Sequence, residues 1–386
     1  MELTSKEILS DLIAFPTVSK DSNLDIIEYC TDLLKNAGAD IQIIRDTTQP
    51  KANLYATIGP KDIPGILLSG HTDVVPVTGQ DWTVPPFEMS EKDGKLYGRG
   101  TTDMKGFVAC ALAAACTAGR SELATPLHLA LSYDEEIGCV GVRSMIEMLA
   151  EAPFRPRFCI VGEPSMMSVA VGHKGKTACR VTCRGRSAHS ALAPTALNAI
   201  HLACDTTYFI RTLQQEIENG TAHDDDYEVP YTTLHIGQLE GGRTLNIVPD
   251  LATLAFEIRN LTEDDPEHLL DRIQKHSQKI LGPLSDEFPE AAIDIEITNS
   301  YPPLSTEKDS DVVSFVKSLT GLNATNKVPF GTEGGLFSSR LNIPTVICGP
   351  GSMDQGHKPD EFISIDQLSR CDAMLNELIE RLKIGI

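Results

Sequence analysis

A series of short apolar runs, each broken off by an acid or a histidine, constrains this chain more than any other feature. "GILLSG" is followed at once by His71 and Asp73, and "LHLALSY" by Asp134, Glu135 and Glu136. "FCIVG" leads into Glu163, and "PTVICG" leads through "PGSMDQG" to His357. Asp103 closes the turn "LYGRGTTD", directly ahead of an Ala-rich stretch. Apolar runs of this length, with helical patterns between them, are strands of a largely parallel sheet covered by helices. Ligands of open α/β sheets bind at the carboxyl ends of such strands. Segments far apart in sequence thus send two histidines and several carboxylates to one sheet edge.

The helical patterns run near residues 4–14, 24–37, 104–118 and 140–150. Thr4 with Glu7 reads as a capping box opening the first, and Gly38 and Gly119 read as C-terminal caps. The same alternation returns late in the chain, with a helix at 309–319, the strand "PTVICG" and a terminal helix from about Asp366. Between Gly175 and Tyr301 the order changes to strand, helix, two strands, helix, strand. That βαββαβ order belongs to ferredoxin-like α+β domains. A chain of 386 residues also exceeds one ordinary core. The expected architecture is an α/β catalytic domain in two pieces, 1–175 and 302–386, with a smaller α+β domain, 176–301, spliced between them.

Composition narrows the function. A net charge of −21 repels nucleic acid and anionic membrane surfaces, so neither is expected as a partner. The stretch "FVACALAAACTAG" is too short to span a bilayer, and "MELTSKEILSDLIAF" lacks the basic and apolar segments of a secretory signal. The ten cysteines form no C-x-x-C pair, which suits reduced thiols and a cytoplasmic location. The acidic tract His223–Glu228 reads as a solvated loop.

Taken singly, each site residue has a plain structural explanation. His71 and Asp73 suit a hydrogen-bonded pair, Asp103 suits a helix N-cap, and the Asp134–Glu136 run suits a solvated loop. Together they would repel one another strongly unless cations sit among them. Histidine and carboxylate ligands in this ratio suit zinc or a related divalent metal, and the excess of carboxylates suits two metals sharing a bridge.

The stretches "SGHTDVVP", "GRGTTDMKG", "DEEIG", "GEPS", "GRSAHSALAP" and "GPGSMDQGHKPDE" resemble the motifs of the zinc-dependent amidohydrolases and metallopeptidases. The resemblance spans essentially the whole chain. Within that family, "VGHKGKTACRVTCRGRSAHS" and the region around "FGTEGGLF" are most similar to the acetylornithine deacetylases. The resemblance implies two Zn2+ per subunit, with Co2+ able to substitute. It implies that His71 and Glu163 bind one metal, Glu136 and His357 the other, and that Asp103 bridges them. Asp73 then orients the His71 imidazole, and Glu135 is the general base. It further implies a homodimer through the inserted domain, with His189 stabilising the oxyanion in the partner's site. Arg259, Asn246, Gly331 and Thr332 would bind the α-carboxylate of a small N-acyl amino acid, and Glu333 would offer acidity to a cationic side chain. The implied reaction is deacetylation of N2-acetyl-L-ornithine. A desuccinylase, a related deacylase or carboxypeptidase, and a metal-retaining binding protein without turnover are the alternatives.

Overall fold

The computed structural model describes residues 3–386, which form two compact units. One comprises the chain up to His173 together with Leu304–Ile386, and the other is Lys174–Pro303.

The first unit opens with helices α1 (Ser5–Ile13) and α2 (Leu24–Asn36). The capping box at α1 is present: Glu7 N–H donates to Thr4 Oγ1 at 3.3 Å, and Thr4 N–H donates to the Glu7 carboxylate at 2.8 Å. Strands β1 (Asp40–Arg45), β2 (Ala52–Ile58) and β3 (Ile66–His71) follow, then the small strands β4 (Ser90–Lys92) and β5 (Lys95–Tyr97). Next come α3 (Lys105–Ala118), β6 (Leu127–Ser132), α4 (Val142–Glu151), β7 (Phe158–Pro164) and β8 (Val169–His173).

The second unit runs β9 (Lys176–Arg184), α5 (Ala199–Glu218), β10 (Thr233–Gly241), β11 (Leu251–Arg259), α6 (Pro266–Leu281) and β12 (Ala292–Tyr301). The chain then returns to the first unit through β13 (Leu304–Ser305), α7 (Asp311–Thr320), β14 (Thr325–Val328) and α8 (Gly334–Leu341). It ends with β15 (Thr345–Gly349), β16 (Phe362–Ser364) and α9 (Ile365–Ile384).

The large sheet of the first unit has the order β1-β2-β6-β3-β7-β15-β8-β13, with β14 paired to β8. It is parallel at its centre, where β6, β3, β7 and β15 lie side by side, and its flanking β1–β2, β2–β6, β8–β15 and β8–β13 pairs are antiparallel. The central strands are buried along their whole length, which is why their sequences show no polar alternation. Helix α3 is Ala-rich because it is enclosed, packing against α1, α9 and the sheet. A Cβ at Gly162 would lie 1.9 Å from the Phe107 ring, so the glycine before Glu163 is what lets α3 reach β7. Gly119 is the C-cap of α3, as expected, in a right-handed conformation with a φ of −62°. Its lack of a side chain is needed for close approach, because a Cβ there would meet the Ala37 carbonyl at 1.9 Å.

The second unit is a four-stranded antiparallel sheet in the order β10-β11-β9-β12. Alternate residues of β9 and β11 are buried, and they share one core with α5 and α6. Period-two burial on a one-sided sheet is what their sequences encode.

Candidate metal centre

The parallel strands carry the site. His71 is the last residue of β3, Glu163 lies near the end of β7, and Glu135 and Glu136 occupy the turn after β6. Asp103 precedes α3, and His357 lies in the loop between β15 and β16 with a left-handed φ of +62°.

Asp103 stands between the two imidazoles. Its Oδ1 is 3.2 Å from His71 Nε2, and its Oδ2 is 3.0 Å from His357 Nε2. Beyond it, Glu163 Oε1 is 3.7 Å from His71 Nε2, and Glu136 Oε2 is 2.9 Å from His357 Nε2. The ligand atoms of His71, Asp103 and Glu136 lie within 4.8 Å of one another, as do those of His71, Glu135 and Glu163. Distance alone therefore does not separate Glu135 from the ligand set. Their partners differ: Glu136 faces His357, whereas Glu135 Oε1 accepts from the Cys139 thiol at 3.2 Å.

The electrostatics are those of a cation site. Burial pushes the Glu135 carboxyl up to about 8 and Glu136 to about 7, with Asp103 adding to the rise at Glu136. Burial and then Asp103 likewise hold Glu163 well above the carboxylate range. Hydrogen bonds to Asp103 and Glu136 raise His357 to about 10. At His71 burial opposes the charge, but Asp103, Glu163 and Asp73 outweigh it and raise the pKa. Protons are thus drawn into the cluster to balance its negative charge, which is the work a divalent cation does with greater strength. Glu136 Oε1 is buried without a hydrogen-bond partner. An orphaned carboxylate oxygen beside two imidazoles fits a metal ligand, and so does the mixture of nitrogen and carboxylate donors.

The Asp73 carboxylate is oriented differently from expectation. The nearest acceptor for His71 Nδ1 is the Asp73 main-chain carbonyl at 2.9 Å, while the carboxylate is 3.6 Å away. The carboxylate instead accepts from Ser19 Oγ at 2.6 Å and from the N–H groups of Glu135 and Glu136. The two N–H donors sit on the turn after β6 and, with Ser19, compete successfully for a buried acceptor. Lys51 forms a buried ion pair with Asp134 in the same turn.

Among the described residues, the two groups that could hold a metal include none of the other expected residues. His189 is exposed in the second unit, its Nδ1 accepting from Ala191 N–H at 3.2 Å. It neighbours the exposed Asn246, whose carbonyl accepts from Ser190 N–H at 3.0 Å. Arg259, at the end of β11, donates to Glu257 at 3.0 Å and to the Tyr301 hydroxyl at 3.0 Å. Gly331 and Thr332 precede α8, and Thr332 is fully buried with its hydroxyl accepting from Gly334 N–H at 3.0 Å. That hydroxyl is thus engaged in the turn just ahead of α8, whose N-cap is Glu333. Glu333 is 2% exposed and accepts from Ser69 Oγ at 3.2 Å, so it is a sheet-facing buried acid and does not offer a surface to a substrate.

Four residues at this centre had no role in the sequence reading: Ser19, Cys139, Arg99 and Glu361. Cys139 follows Glu135 by four residues in a tight turn, and only the fold reveals the contact.

Residues 67–381 match the model of peptidase family M20/M25/M40. The chain belongs to that family. It is 32% identical over 386 residues to an acetylornithine deacetylase of Pasteurella multocida (strain Pm70), covering 98% of each chain. A metallo-carboxypeptidase of the M20 family from Sulfolobus solfataricus has the same fold, with a TM-score of 0.79 at 20% identity over 99% of both chains. A dinuclear metal binding M20 peptidase from Bacillus subtilis superposes with a TM-score of 0.69 at 15% identity, over 99% of this chain and 98% of that one. The metal-ligating cluster thus sits in the first unit of an M20-family hydrolase. Among the described residues no helix is long and apolar enough to cross a membrane.

Proposed function

We propose that this chain is a di-zinc amidohydrolase that converts N2-acetyl-L-ornithine to L-ornithine and acetate, with Co2+ able to replace Zn2+. The observation that carries the reading is Asp103, whose two oxygens face two imidazoles, each flanked by a further carboxylate. His71 and Glu163 would hold one ion, Glu136 and His357 the other, and Asp103 would belong to both. When bound, such a pair lowers the pKa of a water between the ions and polarises the acyl carbonyl. The choice of substrate draws support from the 32% identical deacetylase.

Glu135 is the general base. Burial raises its proton affinity toward neutral pH, where a carboxylate both accepts and returns a proton efficiently. It takes a proton from the water that attacks the acetyl carbon, and delivers that proton to the amine nitrogen as the C–N bond breaks. Cys139 holds one of its oxygens, and Asp73 fixes the main chain on which it stands. Arg259 binds the α-carboxylate with guanidinium N–H groups left free by Glu257 and Tyr301, and Asn246 lies at the substrate's edge. His189 steadies the oxyanion from the partner subunit of a homodimer formed through the inserted unit. The location is cytoplasmic. Hydrolysis of N2-acetyl-ornithine with and without a chelator tests the reading: a metal-dependent release of acetate is expected, and a metal-loaded protein without turnover sinks it in favour of a binding protein.

A further inference from the structure

Glu361 and Arg99 form an ion pair in which each residue is only 1% exposed, at a contact of 2.6 Å. Neither belongs to the ligand set. Two charges taken out of water need their remaining hydrogen-bonding capacity satisfied if the pair is to persist. The carboxylate is satisfied in full, while Arg99 Nε is the one buried atom of the pair without a partner. Glu361 Oε2 accepts from Gly100 N–H at 3.0 Å as well as from Arg99. Its Oε1 accepts from Thr102 N–H at 2.9 Å and from Asp103 N–H at 3.1 Å. One carboxylate therefore gathers the main chain that presents Asp103.

The other side of the pair leads to His357. Arg99 Nη2 donates to Gln80 Oε1 at 2.6 Å, and Gln80 Nε2 donates to the His357 carbonyl at 2.9 Å. Trp82 Nε1 also donates to Gln80 Oε1 at 3.0 Å, and its ring lies 5.0 Å from the Arg99 guanidinium. His357 has need of such support. His71 and Glu163 stand on central strands of the sheet, whereas His357 stands on a loop with a positive φ and a side chain 46% exposed.

We propose that Gln80, Arg99 and Glu361 are positioning residues that lock Asp103 and His357 together, so that affinity for the ion held by Glu136 and His357 depends on them. The ion held by His71 and Glu163 depends on the sheet and is largely indifferent to Gln80. This inference rests on the two-metal reading above.

The experiment is a competition titration of the full-length metal-free chain with Zn2+ against a chromophoric chelator, with bound metal counted by elemental analysis. His357→Ala marks which binding step belongs to its half of the centre. Gln80→Ala should weaken that same step by tenfold or more, as loss of a residue supporting a ligand commonly does, and leave the other step within about threefold. Glu361→Gln, which places an amide against the main-chain N–H donors that present Asp103, should move the same step further and, through Asp103, weaken the other step as well. Should Glu361→Gln fail to fold, Gln80→Ala still decides, because Gln80 is a partly exposed loop residue. Wild-type affinity at both steps in Gln80→Ala, or equal weakening of both, overturns the lock. A wild-type chain that takes up fewer than two ions overturns the two-metal reading instead.

Discussion

The Asp73 carboxylate accepts the main-chain N–H of Glu135 at 3.0 Å and that of Glu136 at 3.3 Å. One buried acid on the chain after β3 thereby fixes the turn after β6, where Glu135 and Glu136 stand side by side. The His71 imidazole is served by the Asp73 carbonyl, which no side-chain substitution removes. Asp73→Asn should therefore keep metal at His71 and lose catalysis, since the amide presents N–H groups where acceptors are needed. A fall in kcat of about 100-fold, close to 2.7 kcal/mol, is expected with metal content unchanged. Loss of metal in step with kcat would show that the carboxylate acts on His71 after all.

Glu135 and Glu136 should separate cleanly by substitution. Glu135→Ala removes the proton carrier but neither imidazole-facing carboxylate, so it should retain both metals and lose several orders of magnitude in kcat. Glu136→Ala removes the partner of His357 and should lose metal. Elemental analysis of the two proteins decides the matter, and a metal-poor Glu135→Ala would exchange their roles.

His189 gives a test of the dimer. Each homodimer of His189→Ala or Glu135→Ala should be nearly inactive. In a mixed dimer one site combines an intact Glu135 with the partner's intact histidine, and co-expression should recover activity there. Stable mixed dimers without recovery would put His189 in its own subunit's site or outside catalysis.

His128 sets a pH dependence of stability away from the metal centre. It is 8% exposed on β6, stacked on Tyr55 at 5.6 Å, and burial pushes its pKa down to about 4. The unfolded imidazole titrates near pH 6.5. Between those values the unfolded chain binds the extra proton, so stability is full above about pH 6.5 and is lost as pH falls through about 4. The loss amounts to about 3 kcal/mol. Urea unfolding from pH 7 to pH 4 should show a shallower decline for His128→Asn than for the wild type. Parallel declines would mean that His128 is protonated without cost in the folded state.

Strand ends were legible in the sequence because a buried parallel strand must be apolar until it reaches the sheet edge, and a polar residue there stands out. His71, Glu163 and the Glu135–Glu136 pair were visible for that reason. Contacts between main-chain N–H groups and a distant acid leave no such trace. Asp73 looked like a companion of His71 because residues two apart in a strand face the same way, yet its carboxylate serves the turn after β6. Glu361 lies inside the motif around His357 and gave no sign of its partners, which are 258 to 262 residues earlier in the chain. Gly119 is the cap its sequence suggested, but what demands glycine there is the close approach of Ala37, which only packing reveals. Thr332 and Glu333 were expected to meet the substrate, but both are buried just ahead of α8.

Substrate preference is the most direct test of function. Arg259 retains N–H groups for a carboxylate beside its contacts with Glu257 and Tyr301, so the ligand should carry a free α-carboxylate. The acetyl group needs only a small space beside the metals. Burial of Glu333 removes it as a surface for the far end of the substrate, and the preference for a cation then follows from the −21 charge of the chain. Discrimination between substrates is a ratio of kcat/KM values, so it is measured in direct competition. N2-acetyl-ornithine should exceed N-acetyl-glutamate and N-succinyl-diaminopimelate by at least about tenfold, the effect of one charge interaction of about 1.4 kcal/mol. Arg259→Ala should weaken all three, since each presents the same α-carboxylate. If the succinylated compound wins, the deacetylase assignment falls while Glu135 and the metal centre keep their roles. If Arg259→Ala leaves all three unchanged, the guanidinium serves only its ion pair with Glu257, and the carboxylate must be held elsewhere.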